Sequence, residues 1–195
     1  ALLRLGEQGR ALARRLGKGD IELDVGGQDV RLDPQLWAPF FGELVHVVRN
    51  AVDHGLEPAN ERLALGKPAN GSLILKAKLE GEQLTFEITD DGRGIDWASV
   101  ASKAKALGLP HANQAELLEA LCAEGLTTRG SANDVSGRGV GMSSFRERVR
   151  ALQGRLEVRS AKDVGTSWFV RFRWPSPVAQ QNPQRAGASA AALKP

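Results

Sequence analysis

The residues with the clearest chemical potential lie between positions 43 and 55, where polar side chains recur every three or four residues. His46, Asn50 and Asp53 fall on one side of a predicted helix, and Glu43 extends that line upstream. A merely solvated face would usually carry lysine and glutamate, because histidine and asparagine are poor helix formers. The pattern therefore indicates either a binding site or a satisfied polar seam between packed helices. The other side of this helix is apolar and predicts burial: Leu44, Val47, Val48, Ala51 and Val52.

A second group of residues able to do chemistry follows a predicted strand, in the motif Asp90-x-Gly92-x-Gly94. An aspartate held at a strand end can accept a hydrogen bond from an exocyclic amine, and the glycines let a flat ring approach the backbone closely. Thr166 follows Gly165 at the start of the last predicted strand, and its hydroxyl could complete a small polar pocket with Asp90. A simple turn is the alternative interpretation, because Asp-Gly is common in turns.

A glycine-rich segment, Ser136-Gly137-Arg138-Gly139-Val140-Gly141-Met142, leads directly into a predicted helix. Backbone amides at a helix N-terminus can cradle phosphate, since the helix dipole favours negative charge there. No Walker lysine follows the segment and no hydrophobic strand immediately precedes it, so neither the P-loop nor the dinucleotide fingerprint fits. A flexible hinge is the alternative that the segment alone leaves open.

The elements that position these motifs are predicted by local patterns. Asp33 and Pro34 form an N-cap followed by proline at the first helical position, which begins the long helix that ends at Gly55. Alternation at 21–25 and the apolar positions 30 and 32 predict a β-hairpin that turns at Gly26 and Gly27. The other predicted helices cover 1–17, 59–65, 96–107, 113–122 and 140–152, and the other strands cover 73–79, 84–89, 155–160 and 166–174.

Together these elements predict an α/β two-layer sandwich, in which helices cover one face of a mixed, mostly antiparallel sheet. Residues 123–138 are polar and rich in glycine without periodicity, so they are predicted to form a mobile loop. From Pro175 onward the chain is Pro, Gln, Ala, Ser and Gly with almost no large apolar residue, which predicts a disordered tail or linker.

Composition bounds the class of protein. The 195 residues suffice for one domain with a sizeable core, and the formal charge of +3 suits an anionic ligand. Neither a Lys/Arg block nor aromatic–basic interleaving is present, so salt-sensitive binding to nucleic acid has no specific support. Cys122 is the only cysteine, which excludes a disulfide framework. No apolar run reaches membrane-spanning length, so we expect no membrane insertion, and the start at Ala1 suggests a cytoplasmic fragment of a longer protein.

Order and spacing combine these motifs into one pattern. The helix with Asn50, the Asp90 motif, the polar loop, the second glycine segment and the final Gly-Thr resemble the ATP-binding (Bergerat) fold shared by histidine kinases, DNA gyrase, Hsp90 and MutL. The resemblance narrows to the CheA-type chemotaxis histidine kinases and covers about residues 10–172. The stretches that carry this narrower resemblance are His46–Pro58, Glu61-Arg62, Gly66-Lys67-Pro68, Gly71 and 134–142.

The resemblance implies that Asn50 coordinates a Mg²⁺ ion that bridges the ATP phosphates, and that His46 contacts the metal and takes part in phosphoryl transfer, with His54 also catalytic. Magnesium prefers oxygen ligands, so Asn50 is the firmer of the two metal ligands. Asp90 is implied to read adenine, assisted by Gly94 and Thr166. The remaining residues implied to bind ATP are Arg49, Asp53, Gly92, Ile95, Lys103, Ser136, Gly137, Arg138, Gly139, Val140, Gly141 and Met142, with roughly residues 123–138 as the ATP lid.

Four positions depart from the family pattern. Cys122 and Leu126 stand where phenylalanines are common, Ser143 replaces an aspartate, and Ser99 replaces a lysine. These changes weaken lid packing and phosphate charge while leaving the pocket recognisable. The leading hypothesis is the catalytic domain of a CheA-like histidine kinase, and the second is a nucleotide-binding regulatory module with weak or no kinase activity.

The chain is divided by this interpretation into a helix over 1–17 that leads in from a dimerisation module, a catalytic domain over 18–174 and a tail or linker over 175–195. No four-helix segment with a phospho-accepting histidine is found in the sequence, so the acceptor, a phosphotransfer domain, would be supplied in trans. The resemblance further implies a response regulator downstream, a chemoreceptor and a coupling protein that act through other domains, and a homodimer for the full-length protein.

Overall fold

The computed structural model describes residues 1–27, 29–123 and 141–175. Within these residues the frame is one mixed sheet of five strands, in which β1 runs parallel to β2 and every other neighbouring pair is antiparallel. The strands are β1 (Ile21–Val25), β2 (Gly71–Glu80), β3 (Gln83–Asp90), β4 (Arg155–Ala161) and β5 (Gly165–Arg173), in the spatial order β1-β2-β3-β5-β4.

The helices α1, α2 and α6 lie against this sheet and contribute to the same apolar core as its strands, whereas α4 and α5 bury residues in a second, smaller cluster. A π-helical turn, Ala51–Gly55, continues α2 without a break. None of the helices in the described ranges combines the length and the apolar character that a membrane crossing requires. The helices are α1 (Leu2–Arg15), α2 (Pro34–Asn50), α3 (Ala59–Ala64), α4 (Trp97–Ala106), α5 (Gln114–Leu121) and α6 (Met142–Ala151).

The alternation of side chains explains why helices cover one face of the sheet. Along β2, β3 and β5, residues on one face are buried and those between them are more exposed, as the two-residue period of a strand requires. Leu75, Ile88 and Trp168 are neighbours in the register and are buried. Lys76 and Glu87, which are paired across β2 and β3, belong to the polar outer face. The predicted two-layer α/β sandwich is confirmed.

An aromatic cluster fixes the first half of α2 on the sheet. Trp37 and Phe40 of α2 meet Phe86 of β3 and Phe172 of β5 in the centre of the core. The rings of Trp37 and Phe172 lie edge to face with centroids 4.9 Å apart, an arrangement that stabilises beyond the buried area alone. This anchoring sets the direction in which α2 carries its second, more polar half.

The start of α2 is the one that the sequence predicts, because the Asp33 carboxylate accepts a hydrogen bond from the Gln35 amide at 2.8 Å and Pro34 follows the cap. The π-helical end has no counterpart among the predicted elements. There the Leu56 amide donates to the carbonyl oxygen of Ala51 at 2.8 Å, which widens the last turn. Turns of this kind are frequent at functional sites.

The predicted β-hairpin over residues 21–32 is wrong. β1 instead pairs in parallel with β2, from Ile21 beside Gly71 onward, and Val30 and Leu32 form no strand but pack partly buried against the core. The reason lies at Gly26 and Gly27. Gly26 exchanges backbone hydrogen bonds with β2, and a Cβ on Gly27, whose φ is +87°, would collide with the carbonyl group of Ala77. The two glycines therefore allow a close approach to β2 rather than a turn.

The other predicted helices and strands are present, with bounds that shift by a few residues at their ends. The predicted lid and tail lie almost entirely outside the described residues, which include only Ala123 of the former and Pro175 of the latter. The leucines Leu2 and Leu5 of α1 are buried in the main core, so this helix packs as part of the sandwich.

Candidate functional site

His46 and Asn50 lie one turn apart on α2, and Asn50 is its last α-helical residue. The His46 side chain is 42 % exposed, and its Nε2 atom lies 3.9 Å from a carboxylate oxygen of Glu43. Ser144 on α6 donates a hydrogen bond to that same oxygen at 2.6 Å. Gly141 is close to the imidazole, since a Cβ built on it would lie 3.6 Å from the His46 ring. The end of the second glycine segment therefore meets the polar side of α2.

The π-helical turn carries Asp53 and His54 out of regular α-helical spacing, because its hydrogen bond spans five residues rather than four. The His54 Nε2 atom lies 3.9 Å from an Asp53 carboxylate oxygen, and both side chains are partly exposed. Gly55 ends the turn, and its carbonyl oxygen accepts a hydrogen bond from the Arg93 amide at 2.9 Å. The helix end is thus tied directly to the loop that follows β3.

Lys18, which lies between α1 and β1, closes the carboxyl end of this helix. Its ammonium group donates to three backbone oxygens, those of Val52 at 2.8 Å, Asp53 at 2.5 Å and Leu56 at 2.7 Å. The helix dipole favours a cation at this end, and an ammonium group supplies three donors. Burial lowers the pKa of Lys18, and the charge of Asp53 opposes that shift. No sequence motif predicts a role for this lysine.

Lys18→Met is expected to lower the free energy of unfolding by about 2 kcal/mol, because three helix-end carbonyl groups lose a charged donor. Lys162→Met is a matched control, since Lys162 is exposed in the turn between β4 and β5. Urea denaturation of both variants measures the effect. A loss for Lys18→Met no larger than about 0.5 kcal/mol, the size typical of surface substitutions, would contradict the prediction.

Asp90, the last residue of β3, is 5 % exposed and forms no ion pair with any described residue. One of its carboxylate oxygens accepts a hydrogen bond from the Gly92 amide at 3.0 Å. Burial is the main reason that the pKa of Asp90 rises to about 7, while the Gly92 amide opposes this rise and the charge of Asp91 adds to it. A buried carboxylate without a counter-charge is costly in the ligand-free protein, which marks Asp90 as a candidate binding group.

The backbone around Asp90 is packed so closely that only glycine fits at two positions. A Cβ on Gly92 would collide with the carbonyl group of Gly55, and a Cβ on Gly165 would collide with the carbonyl oxygen of Asp90. The Cβ position of Gly55 itself would lie 3.1 Å from the Asp90 carboxylate. These contacts bring the end of the π turn, the loop after β3 and the start of β5 together around one carboxylate.

Thr166 faces Asp90 across the β3–β5 pair and is 7 % exposed. Its hydroxyl oxygen lies 3.0 Å from that of Ser160 on β4, which also accepts a hydrogen bond from the Ile95 amide at 2.7 Å. Ser160 therefore joins the strand that carries Thr166 to the loop that carries Gly94 and Ile95. Ser160 is not among the predicted site residues, and the one signal for it is its register opposite Thr166.

A charged cluster of Glu57, Arg62, Lys67 and Asp91 lies beside the same loop. Arg62 Nη1 lies 3.1 Å from a Glu57 oxygen, Arg62 Nη2 lies 2.6 Å from an Asp91 oxygen, and Lys67 Nζ lies 2.9 Å from Glu57. Arg62 is fully buried and Glu57 is 2 % exposed. Glu57, Arg62 and Lys67 contribute to the family resemblance, but the motifs assign them no role.

The remaining predicted residues have the following places. Arg49 precedes Asn50 on α2 and is exposed, and Lys103 is partly buried in the last turn of α4. Met142 begins α6 and packs against the core. Ser136, Gly137, Arg138, Gly139 and Val140 lie outside the described residues. The structure thus brings together the predicted site residues of α2, the π-helical turn, the loop after β3 and the start of β5. Gly141 lies next to this group because it is close to the His46 ring.

The departures from the family pattern are partly visible. Cys122 is buried, and burial raises the pKa of its thiol to about 12, so it behaves as a packing residue rather than a nucleophile. The Ser99 amide donates to the Asp96 carboxylate that caps α4. Ser143 lies in the first turn of α6, and Leu126 lies outside the described residues.

Comparison with known protein families gives a match that covers more than half of the chain. The family described as histidine kinase-, DNA gyrase B-, and HSP90-like ATPase matches residues 42–178. All of the site residues predicted above lie inside that range, whereas α1 and Lys18 lie outside it.

Curated relatives agree with the resemblance to CheA-type histidine kinases that the sequence motifs indicate. The chain is 36 % identical over 167 residues to chemotaxis protein CheA of Treponema pallidum, an alignment that covers 84 % of the chain and 20 % of that protein. It is 36 % identical over 161 residues to chemotaxis protein CheA of Salmonella typhimurium, covering 81 % of the chain and 24 % of the relative. It is 34 % identical over 176 residues to the gliding motility regulatory protein of Myxococcus xanthus, covering 87 % and 22 %. The chain therefore spans only 20 to 24 % of the length of these relatives.

Solved structures show the same fold. The histidine kinase domain of the blue-light activated histidine kinase EL346 from Erythrobacter litoralis aligns with a TM-score of 0.53 and 21 % identity, covering 93 % of this chain and 66 % of that one. Full-length ShkA in complex with AMPPNP aligns with a TM-score of 0.53 and 16 % identity, covering 87 % and 28 %. At these identities the likeness concerns the fold alone.

Proposed function

Because the chain belongs to the family of histidine kinase-, DNA gyrase B- and HSP90-like ATPases, we propose that it is the ATP-binding catalytic domain of a CheA-like histidine kinase. The proposed reaction transfers the γ-phosphoryl group of ATP to a histidine on a phosphotransfer domain. The observation that carries the proposal is the buried carboxylate of Asp90, which no described cation neutralises and around which the backbone is closely packed.

Adenine suits the surroundings of Asp90. Its exocyclic amine can donate to the carboxylate, and a charged group that is buried gains most from a donor of this kind. The Thr166 hydroxyl lies across the strand pair from Asp90, and Gly92 and Gly94 let the loop after β3 pack closely on the backbone of Gly55 and Ala161. Ile95 is partly buried beside them and offers an apolar contact.

Asn50 is the residue that would hold Mg²⁺. Its carboxamide forms no hydrogen bond with any other described residue, so its oxygen is available one turn from His46. The described residues contain no group of three or more His, Cys, Asp or Glu side chains that could hold a metal. Mg²⁺ keeps several waters and takes further ligands from phosphate oxygens, so few protein ligands are needed to hold it. When bound, Mg²⁺ neutralises charge on the phosphates.

The phosphate side of the site would be formed by basic residues and by the glycine segment that ends at Gly141. Arg49, His54 and Lys103 would offset negative charge on the transferring phosphoryl group. His46 lies beside Gly141 and near Glu43, and we assign it to the catalytic set with Asn50 and His54.

We further propose the division into a leading helix, a catalytic domain over 18–174 and a tail or linker. The acceptor would be a phosphotransfer domain supplied in trans, with a response regulator downstream and with a chemoreceptor and a coupling protein acting through other domains of a homodimer. A cytoplasmic location is proposed with them, because the reaction consumes ATP.

Asn50→Ala is expected to reduce the part of ATP affinity that depends on Mg²⁺ while leaving binding of ATP without Mg²⁺ nearly unchanged, because the variant loses a metal ligand and keeps the adenine pocket. Calorimetric titration of ATP with and without Mg²⁺ measures both affinities, and we expect the Mg²⁺ effect to fall by about tenfold or more. Asn60→Ala is the control, since Asn60 is exposed on α3. An unchanged Mg²⁺ effect in Asn50→Ala would remove Asn50 from the metal site.

Transfer of phosphate from radiolabelled ATP to a phosphotransfer domain in trans then tests the reaction itself. Label that enters the acceptor histidine in the presence of the chain supports the kinase. Binding of ATP without transfer would favour a regulatory module that binds nucleotide, and a wild type that fails to bind ATP would overturn the proposed function.

A further inference from the structure

We infer that Lys67 and Arg62 are positioning residues that orient the Asp90 carboxylate toward the base, through a single peptide group between Asp91 and Gly92. The inference rests on the proposed function, because the base is the adenine that Asp90 is proposed to read. It assigns a specificity role to the charged cluster of Glu57, Arg62, Lys67 and Asp91.

Two side chains of the cluster, Lys67 and Arg62, donate hydrogen bonds to backbone carbonyl groups of the loop after β3. Lys67 Nζ donates to the carbonyl oxygen of Asp91 at 2.8 Å and to that of Gly92 at 2.8 Å. Arg62 Nη1 donates to the same Asp91 oxygen at 3.3 Å. Two cations therefore hold consecutive carbonyl groups of the loop that follows Asp90.

The peptide group between Asp91 and Gly92 forms hydrogen bonds both with these two cations and with the Asp90 carboxylate. Its carbonyl oxygen is the atom bound by Lys67 and Arg62, and its N–H is the donor to the Asp90 carboxylate oxygen at 3.0 Å. Because the peptide group is planar and its C=O and N–H point in opposite directions, fixing the oxygen also fixes the direction of the N–H. The orientation of the Asp90 carboxylate is therefore set from the far side of the peptide.

The rest of the cluster keeps the two cations in place. Glu57 accepts from both Arg62 and Lys67, and the Asp91 carboxylate accepts from Arg62 Nη2 at 2.6 Å and from the Ser72 amide at 2.8 Å. Arg62 Nε donates to the carbonyl oxygen of Pro68 at 2.7 Å. The hydrogen bonds of the cluster thus join α3, β2 and the loops around them.

The charge of the cluster argues for this role rather than for binding an anion. Two cationic and two anionic side chains leave it formally neutral, and Arg62 and Glu57 are buried away from solvent. Apolar residues of similar volume often stabilise a fold as well as buried ion pairs do, so burial alone does not require these charges. Apolar side chains, however, supply no donors to the Asp91 and Gly92 carbonyl groups.

The experiment compares wild type with Lys67→Met and with Lys76→Met in the full chain. Lys76 lies on the outer face of β2 and pairs with Asp24, so its variant controls for the loss of a lysine. Calorimetry gives the affinities for ATP and, by competition, for GTP, and amide hydrogen exchange of the ligand-free protein follows the Gly92 N–H. We expect Lys67→Met to weaken ATP binding by about tenfold and to reduce the preference for ATP over GTP by about fivefold or more.

The Gly92 amide is expected to exchange faster in Lys67→Met while amides in the middle of β3 keep their protection, and Lys67→Arg is expected to restore most of both effects. Equal losses for ATP and GTP, or unchanged exchange at Gly92, would overturn the inference by showing a purely structural role. If Lys67→Met does not fold, Lys67→Gln is measured in its place, with the same results expected and the same results overturning the inference. A wild type that does not bind ATP overturns the proposed function, whereas a binding wild type with an unaffected Lys67 variant overturns only this inference.

Discussion

Asp90→Asn is expected to weaken ATP binding by about 100-fold or more while stabilising the ligand-free protein above pH 7. The carboxamide keeps the size of the side chain but replaces one acceptor oxygen with an NH₂ group, which cannot accept a hydrogen bond from the exocyclic amine of adenine. A buried donor left without a partner adds to the loss. Calorimetric titration of ATP at pH 8 measures the change in affinity.

The stability effect follows from the raised pKa of Asp90. In the folded protein this pKa is about 7, against a value of 3.8 for an ordinary aspartate, because the carboxyl is buried. Between these pH values the folded state holds a proton that the unfolded state has lost. The stability contributed by the neutral carboxyl is therefore complete below about pH 4 and is lost as the pH rises through about 7. At about 1.4 kcal/mol per pKa unit, the loss is on the order of 4 kcal/mol.

Asn at position 90 has no proton to lose, so the variant lacks this loss. We expect urea denaturation to show that the free energy of unfolding of the variant rises relative to that of the wild type by about 2 to 3 kcal/mol between pH 5 and pH 8. Asp24→Asn is the control, because Asp24 lies on β1 with its side chain 58 % exposed. A difference between variant and wild type that is the same at both pH values would contradict the assignment of the raised pKa to burial.

Arg62→Met is expected to lower the free energy of unfolding by about 3 to 5 kcal/mol, because it leaves the buried Glu57 carboxylate short of a partner and removes the partner of Asp91. For a domain of this size the melting temperature would fall by about 10 °C. Arg93→Met is the matched control, since Arg93 pairs with Glu61 where both side chains are about half exposed. Exposed pairs of this kind contribute less than about 1 kcal/mol. Equal losses of unfolding free energy in Arg62→Met and Arg93→Met would contradict the prediction, because they would show that a buried arginine stabilises no more than an exposed one.

Features that depend only on neighbouring residues in the chain could be predicted from the sequence. The Asp33-Pro34 start of α2, the strand pair that ends at Asp90 and the Gly165-Thr166 start of β5 are each read from neighbours in the chain, and all are present. The type and spacing of His46 and Asn50 similarly indicate one polar side of a helix. Their proposed roles in binding ATP remain predictions.

Residues whose place depends on distant parts of the chain could not be predicted. Lys18 binds carbonyl groups 34 to 38 positions away, and Ser160 reaches Ile95 across 65 positions. The pairing of β1 with β2 is likewise non-local, whereas the apolar positions after Gly27 resemble a partner strand when only neighbours in the chain are considered. The π turn is also not predicted, because the apolar pattern of Leu44, Val47, Val48, Ala51 and Val52 runs into it without a break.

The parallel pairing of β1 with β2 has a consequence for synthesis of the chain. Ile21 finds its neighbour Gly71 about fifty residues later, whereas β2 and β3, like β4 and β5, are joined by short turns. At about 5 to 20 residues per second, a ribosome would extend the chain for roughly 3 to 10 seconds before the partner of β1 is made. Closing so long a loop is also entropically costlier than closing a hairpin. The α1–β1 segment is therefore made well before its partner strand, and we expect it to dock only after β2 of the hairpin that carries Asp90 has been made.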